Sequence, residues 1–300
     1  MSKNNYIWSD NFANTNTHCA VTEFPAENKN SKKCLIALPW LMYRTHLTTL
    51  HLKDIVHKHD ASFVFFDYPK TEFNIDTVTT QIIDYIKTNP YDEIVLMWLS
   101  FGEIVARRVI DALPPEVKKK VKHHISLNWV STANDLSMKY KTMLMLCKIK
   151  SSHLNNLVWG FWKVDRKLNA FFTKSQVYNK IMKQKIKKST NTDEKHTIAL
   201  QQKWHQKSAS LGFTPWYVDR ARLILQEKND IKTNIPSSII YSNNDEFFWK
   251  PKKTAENIGE NIAAEKEIYE VEKWGHIAFV ELPEQYDPII EKVLEKVRSV

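Results

Sequence analysis

The sequence predicts an α/β protein in which helices cover both faces of a mostly parallel sheet. Short runs of apolar and β-branched residues alternate with segments whose apolar residues recur every three or four positions. Polar or proline-marked loops separate these segments. Such alternation is typical of parallel sheets built from strand-helix-strand units. The 300 residues are enough to bury a large core in one or two domains.

The predicted elements follow one another in order along the chain. Two short strands come first and six more follow, so that the predicted strands fall at residues 6–8, 18–24, 34–38, 61–66, 93–98, 124–129, 237–241 and 266–271. Amphipathic segments between strands predict helices at residues 47–59, 76–87, 101–113 and 254–262. A closing helix is predicted where apolar residues share one face, at positions 289, 290, 293, 294 and 297.

A basic, aromatic segment interrupts this alternation between the sixth and seventh predicted strands. Residues 139–188 hold 13 Lys and Arg side chains against one acid, a net charge of +12, whereas the whole chain carries +9. The lysines and aromatic residues indicate either a helical subdomain with its own core or a surface for an anionic partner. We therefore divide the chain into an α/β core, residues 1–137 and 218–300, and a helical cap, residues 138–217.

Several functional classes have no support in the sequence. With 5 glycines, the chain contains neither glycine-rich phosphate-binding motif of nucleotide-binding proteins. No apolar run is long enough for a membrane span and no signal peptide begins the chain, so we expect a cytoplasmic protein. The 3 cysteines lack C-x-x-C spacing and no H-E-x-x-H occurs, so we expect no metal and no cofactor. No nucleic-acid-binding module accompanies the positive charge.

A serine stands where one predicted strand ends and a helix begins. Ser100 would occupy a tight bend that exposes its hydroxyl at the carboxyl edge of the sheet. The first N–H groups of the following helix would lie beside it, and they favour the negative charge that develops during acyl transfer. The alternative role of a serine at this position is to cap the helix.

Two more polar side chains follow strands near the end of the chain. Asp245 comes directly after the strand at 237–241 and could hold an imidazole in its working tautomer, although an aspartate in such a loop is usually a turn residue. His276 follows the last strand, where a sheet edge would deliver a general base to a nucleophile on a neighbouring strand.

In this order of Ser, Asp and His after parallel strands, the chain resembles the α/β-hydrolase family. The resemblance implies the α/β-hydrolase fold, with residues 138–217 as its cap or lid. It also implies that Ser100 is the nucleophile, His276 the general base and then acid, and Asp245 the orienting carboxylate. Asp135, after the sixth strand, is a second candidate for the acid because some family members place it there.

The resemblance also implies an oxyanion hole and a constraint on the bend. The hole would use the N–H of Phe101 and that of Trp40 or Leu41 in the loop after the third strand. In the family pattern G-x-S-x-G, small residues flank the serine because the strand and the helix approach closely. Gly102 fits this pattern, whereas Trp98 stands where the first glycine belongs and is expected to point away or to widen the bend.

The function implied is that of a serine hydrolase that cleaves a carboxylic ester or thioester of an acyl chain through an acyl-enzyme. Two alternatives stay open. The basic segment 139–188 could recruit an acidic acyl carrier protein, coenzyme A or an anionic lipid surface to a thioesterase or acyltransferase. Trp98 favours a degenerate hydrolase that binds lipid or protein without catalysis.

Overall fold

Among the residues that the structure describes, seven strands pair into one sheet. The computed structural model describes residues 19–38, 52–68, 73–128, 132–146, 217–226, 232–245, 247–262, 264–271 and 283–297, together with 179–180, 183–184, 187 and 279. The strands are β1 (Ala20–Phe24), β2 (Lys33–Leu38), β3 (Ser62–Asp67), β4 (Glu93–Leu99), β5 (Val121–Leu127), β6 (Ser237–Ser242) and β7 (Lys266–Val271). Their spatial order is β1-β3-β2-β4-β5-β6-β7. β1 runs antiparallel to β3, and all other neighbours are parallel.

Helices follow most of these strands. The described helices are α1 (Leu52–Lys58), α2 (Ile75–Thr88), α3 (Gly102–Ala112), α4 (Pro115–Lys118), α5 (Met138–Leu146), α6 (Tyr217–Gln226), α7 (Pro251–Gly259) and α8 (Pro283–Val297). The predicted α/β class with a mostly parallel sheet and flanking helices is confirmed. The predicted first strand, at residues 6–8, lies outside the described residues.

Burial along the strands follows their place in the sheet. β2, β3 and β4 lie in the interior of the sheet, and nearly all of their residues are buried. In the edge strands β1 and β7, exposed and partly buried residues alternate. A central strand packs helices on both faces, whereas an edge strand keeps one face near solvent. Because β2 to β7 all run parallel, their carboxyl ends share one edge of the sheet.

The bounds of β5 differ from the prediction. The strand begins at Val121 rather than at residue 124, and it ends at Leu127 rather than at residue 129. It stops because Asn128 adopts a φ of 40°, which takes the backbone out of the extended region. The N–H of Asn128 still donates to the carbonyl of Ile240 in β6, at 3.0 Å. The end of β5 is thus a defined turn at the carboxyl edge of the sheet.

The division into core and cap stays a prediction. α5 lies at the start of residues 138–217 and contacts α6, which begins at the last residue of that range. Most of the basic segment 139–188 lies outside the described residues. Where the structure describes this segment beyond α5, Lys180, Lys183 and Lys187 are exposed.

Within the described ranges, no helix combines the length and the hydrophobicity that a membrane span requires. The same residues contain no group of three or more potential metal ligands. Cys19 and Cys34 are free and buried. Burial raises the pKa of the Cys19 thiol to about 12, so this cysteine is an unreactive thiol of the core.

His123 in β5 is held in its neutral form inside the fold. Its Nε2 lies 2.9 Å from the Oγ of Ser238 in β6. Burial, assisted by the charges of His124 and Lys296 and opposed by Glu267, lowers the pKa of His123 to about 4. The folded protein therefore binds this proton less tightly than the unfolded chain does, where a histidine has a pKa of about 6.5.

This difference predicts a loss of stability in acid. The contribution of His123 is complete above pH 6.5 and is lost as the pH falls towards 4, because the unfolded state binds the proton first. We expect the unfolding free energy of the wild type to fall over this range by roughly 2 kcal/mol more than that of His123→Gln. Urea denaturation followed by circular dichroism measures the difference, and parallel pH profiles of the two proteins would contradict it.

Candidate active site

Ser100 lies in a sharp bend between β4 and α3. Its φ is 53°, in the left-handed region that residues other than glycine rarely adopt. Its N–H donates to the carbonyl of Leu127 at 3.0 Å, and its own carbonyl accepts from the N–H of Glu103 at 3.1 Å. The N-cap residue of α3 is Phe101, so Ser100 does not have the capping role that the sequence left open. The predicted strand-to-helix bend is present, with the serine at its apex.

Trp98 packs beside this bend without opening it. Its side chain is fully buried, and its Cα partners in the sheet are Leu38 and Ser126. Its ring centroid lies 5.9 Å from that of His124, with the two rings tilted by 60°. Because the neighbour across the sheet is a small serine, the indole fits on the face of the sheet that carries His124. Ser100 keeps its left-handed backbone with the tryptophan in place.

The residue after the serine is surrounded by aromatic rings. Phe101 is fully buried and makes edge contacts with Tyr68 and Phe73, at centroid distances of 5.9 and 5.6 Å. The guanidinium of Arg220, in α6, lies 4.9 Å from the Tyr68 ring and 5.3 Å from the Phe73 ring. α6 thus packs against the carboxyl edge of the sheet next to the bend.

The backbone N–H of Phe101 immediately precedes the first turn of α3. Donors at a helix N-terminus have no carbonyl one turn earlier, so they are suited to bind an anion. Trp40 and Leu41, the candidates for the second oxyanion donor, lie outside the described residues. The described half of the predicted oxyanion hole is therefore this one N–H.

Asp245 is a buried carboxylate after β6. It is 3% exposed, and its Oδ1 accepts a hydrogen bond from the N–H of Phe247 at 2.9 Å. Burial, and then the negative charge of Asp245, raise the pKa of the Tyr286 hydroxyl above its usual value, against the opposing effect of Asn128. Asp245 therefore lies after a parallel strand at the same edge as Ser100, in a low-dielectric environment.

Asn128 connects three elements at this edge. Its Oδ1 accepts from the N–H of Ser242 at 3.1 Å, and its Nδ2 donates to the hydroxyl of Tyr286 in α8 at 3.2 Å. These bonds tie the end of β5 to β6 and to α8. Asn128 was not among the predicted site residues, although asparagine directly after a strand is among the few residues that tolerate a positive φ.

Asp135, the second candidate for the acid, organises its own loop. Its Oδ2 accepts from the N–H of Thr132 at 2.9 Å and from the Thr132 hydroxyl at 3.0 Å. Its carbonyl accepts from the N–H of Trp249, and Leu136 forms a β-bridge with Phe248. The loops that carry the two candidate acids are therefore in contact, but Asp135 is only partly buried, whereas Asp245 is buried.

His276, the candidate base, lies outside the described residues. β7, which precedes it, runs parallel to β6 and ends at Val271. Among the candidates, the structure therefore brings Ser100, Phe101 and Asp245 to one edge of the sheet.

A buried ionic cluster lies directly behind the bend. The Oε2 of Glu103 accepts from the Ser126 hydroxyl at 2.6 Å and from Nε2 of His124 at 3.2 Å, and its Oε1 accepts from Nε of Arg107 at 3.3 Å. Burial raises the pKa of Glu103, but His124, Arg107 and Ser126 outweigh burial and lower it to about 2. Glu103 is therefore ionised. The amphipathic pattern of residues 101–113 predicted this helix but not the role of its carboxylate.

Neither known family models nor curated protein sequences match this chain. Solved structures do match it. An esterase from Exiguobacterium antarcticum is 14% identical, with 92% of this chain and 95% of that chain covered and a TM-score of 0.61. MenH from S. aureus is 16% identical, with 93% and 98% covered and a TM-score of 0.58.

A third structure, the alpha/beta hydrolase domain-containing protein 10 from mouse, is 10% identical, with 93% of this chain and 94% of that chain covered and a TM-score of 0.54. All three alignments extend over nearly the whole length of both chains. The overall fold is therefore shared at 10–16% sequence identity. The chain has the α/β-hydrolase fold.

Proposed function

We propose that the protein is a serine hydrolase that cleaves a carboxylic ester or thioester of an acyl chain through an acyl-enzyme. The observation that carries the proposal is the φ of 53° at Ser100, a residue other than glycine between β4 and α3. Backbone strain of this kind concentrates at functional sites. A nucleophile on a strained strand-to-helix turn is the arrangement that exposes a serine hydroxyl in hydrolases of this fold.

The reaction would proceed in two steps. The Oγ of Ser100 attacks the acyl carbonyl carbon while His276 takes the hydroxyl proton, and His276 then gives this proton to the departing alcohol or thiol. Water attacks the acyl-enzyme in the second step, again with His276 as the base, and releases the carboxylic acid and the free serine. No cofactor takes part in either step.

Charge that develops during the reaction would be stabilised on two sides. The N–H of Phe101 and that of Trp40 or Leu41 would donate to the oxyanion of the tetrahedral intermediate. Asp245 would hold the imidazole of His276 and stabilise its protonated form. The burial of Asp245 supports this role, because a carboxylate shielded from water interacts more strongly with a nearby cation.

The surroundings of the bend support an apolar acyl group. The aromatic rings of Tyr68, Phe73 and Phe101 pack together next to Ser100. Pockets for small molecules are lined mostly by apolar and aromatic side chains, with a few polar groups at the reacting centre. We infer that the acyl chain is of medium or long length.

The charge of the cap supports a second candidate function. A net charge of +12 on residues 139–188 would recruit an anionic acyl donor, such as an acyl carrier protein, a coenzyme A thioester or a lipid in an anionic surface. The protein would then be a thioesterase or acyltransferase that uses the same serine.

The first prediction concerns the nucleophile. We expect a fluorophosphonate probe to label the wild type and the control variant Ser238→Ala, and not to label Ser100→Ala, because the proposed mechanism makes Ser100 the activated nucleophile. Gel fluorescence and mass spectrometry of the labelled peptide measure the result. Equal labelling of Ser100→Ala would end the assignment. Wild-type protein that ignores the probe and copurifies with lipid would indicate the non-catalytic alternative.

The second prediction separates the two candidate acids. Asp245→Asn is expected to lower kcat for p-nitrophenyl esters by roughly 10³-fold or more, because the imidazole loses its orienting carboxylate. Asp135→Asn should leave kcat nearly unchanged, since that carboxylate binds Thr132 in its own loop. A series of esters of increasing chain length also reports the preferred acyl group. The reverse order of effects would make Asp135 the acid.

The third prediction concerns the cap. We expect kcat/KM for an acyl-carrier-protein thioester to fall by roughly tenfold between low and high salt, because salt screens exposed charges. The exposed residues Lys180, Lys183 and Lys187 offer a matched test, and their joint replacement by Gln should reduce this salt dependence. A neutral p-nitrophenyl ester serves as the control substrate. Equal salt sensitivity for both substrates would exclude electrostatic recruitment.

A further inference from the structure

We propose that Glu103 is a positioning residue that holds the bend at Ser100 against β5, so that a buried side chain outside the triad sets the place of the nucleophile. This inference rests on the proposed function for its catalytic consequence. Its structural basis is independent of that function, since it depends on contacts among described residues of β4, β5 and α3.

Three hydrogen bonds close a ring around the bend. The N–H of Ser100 donates to the carbonyl of Leu127, at 3.0 Å. The hydroxyl of Ser126, the residue before Leu127, donates to Oε2 of Glu103 at 2.6 Å. The N–H of Glu103 donates to the carbonyl of Ser100 at 3.1 Å, which completes the ring. Both sides of the bend are thus tied to the same strand, once through the backbone and once through the Glu103 side chain.

A strained backbone needs such support. A residue other than glycine with a positive φ persists only where the surrounding structure determines its conformation. A large side chain also has to be accommodated here, because Trp98 stands where the family pattern has a glycine. The Trp98 ring packs next to His124, whose Nε2 bonds Glu103. His124 therefore contacts both the Trp98 indole and the Glu103 carboxylate. The hydrogen bonds of Glu103 hold α3 on β5 next to the large tryptophan side chain.

The charge of Glu103 strengthens this connection without opposing the chemistry. Hydrogen bonds to an ionised carboxylate are shorter and stronger than those between neutral groups. The guanidinium of Arg107 lies on the carboxylate and compensates its charge, so that this charge does not act unopposed on an oxyanion at the start of the same helix.

The cluster is closed to substrate. The cavity that Glu103, Arg107 and His124 line has a volume of about 10 Å³, which is hardly enough for one water molecule. An acyl group therefore has no access to this carboxylate. Glu103 can influence the reaction only through the position of Ser100 and the first turn of α3.

The test uses two matched serines. Ser126 and Ser238 are both fully buried in neighbouring strands, and each bonds one side chain. Ser126 bonds Glu103, whereas Ser238 bonds His123, which faces the opposite side of the sheet from His124 because successive side chains alternate. Replacement by Ala removes one buried hydrogen bond in each case, but only Ser126→Ala opens the ring around the bend.

We expect Ser126→Ala to lower kcat for a p-nitrophenyl ester about tenfold, with KM nearly unchanged, because a displaced nucleophile slows the chemical step rather than binding. Ser238→Ala should leave kcat within about twofold of the wild type. Glu103→Gln should act like Ser126→Ala and more strongly. Equal kcat in the two serine variants, or an effect confined to KM, would overturn the proposal.

A second measurement does not depend on catalysis. Hydrogen–deuterium exchange of the peptide spanning residues 100–106 should be faster in Ser126→Ala than in the wild type and unchanged in Ser238→Ala. If the wild type ignores the probe and hydrolyses nothing, the proposed function fails while this exchange still decides whether Glu103 holds the bend. Equal exchange in all three proteins would refute the role of Glu103, whatever the activity.

Discussion

The candidate site depends on the parallel pairing of β4, β5 and β6 at the point where these strands end. The N–H of Ser100 bonds the last residue of β5, and the N–H of Asn128 bonds Ile240 in β6. The residue that follows β4 thus still bonds β5, and the residue that follows β5 still bonds β6. Because the strands are parallel, the residues that follow them meet at one edge, although they are far apart in the sequence.

The fold could be predicted because its signals are local. Buried strands are continuous apolar runs and the helices have one apolar face, so β7 was predicted with its observed bounds, Lys266–Val271. The end of β5 could not be predicted, because the φ of Asn128 is set by partners that are distant in the chain. Its side chain bonds Ser242 and Tyr286, and such pairings leave no periodic pattern.

In the candidate site, too, the features set by neighbouring residues could be predicted, whereas those set by residues distant in the chain could not. Ser100 was identified because a strand, a serine and a helix are adjacent in the sequence, and Asp245 because it follows a strand directly. Glu103 was missed because an isolated acid on a helix is normally a solvent-exposed residue, and only the fold shows its partners Ser126 and His124. The roles of Trp40, Leu41 and His276 and the extent of the cap stay predictions, since these residues lie largely outside the described ranges.

The left-handed backbone of Ser100 lowers the stability of the fold, while its side chain provides the candidate nucleophile. A side chain in this conformation costs on the order of 1–3 kcal/mol, whereas glycine adopts the same φ with little penalty. Selection for folding alone would therefore favour a glycine at position 100. A serine at this position makes the folded protein less stable than a glycine would, but it supplies the hydroxyl on which the proposed reaction depends.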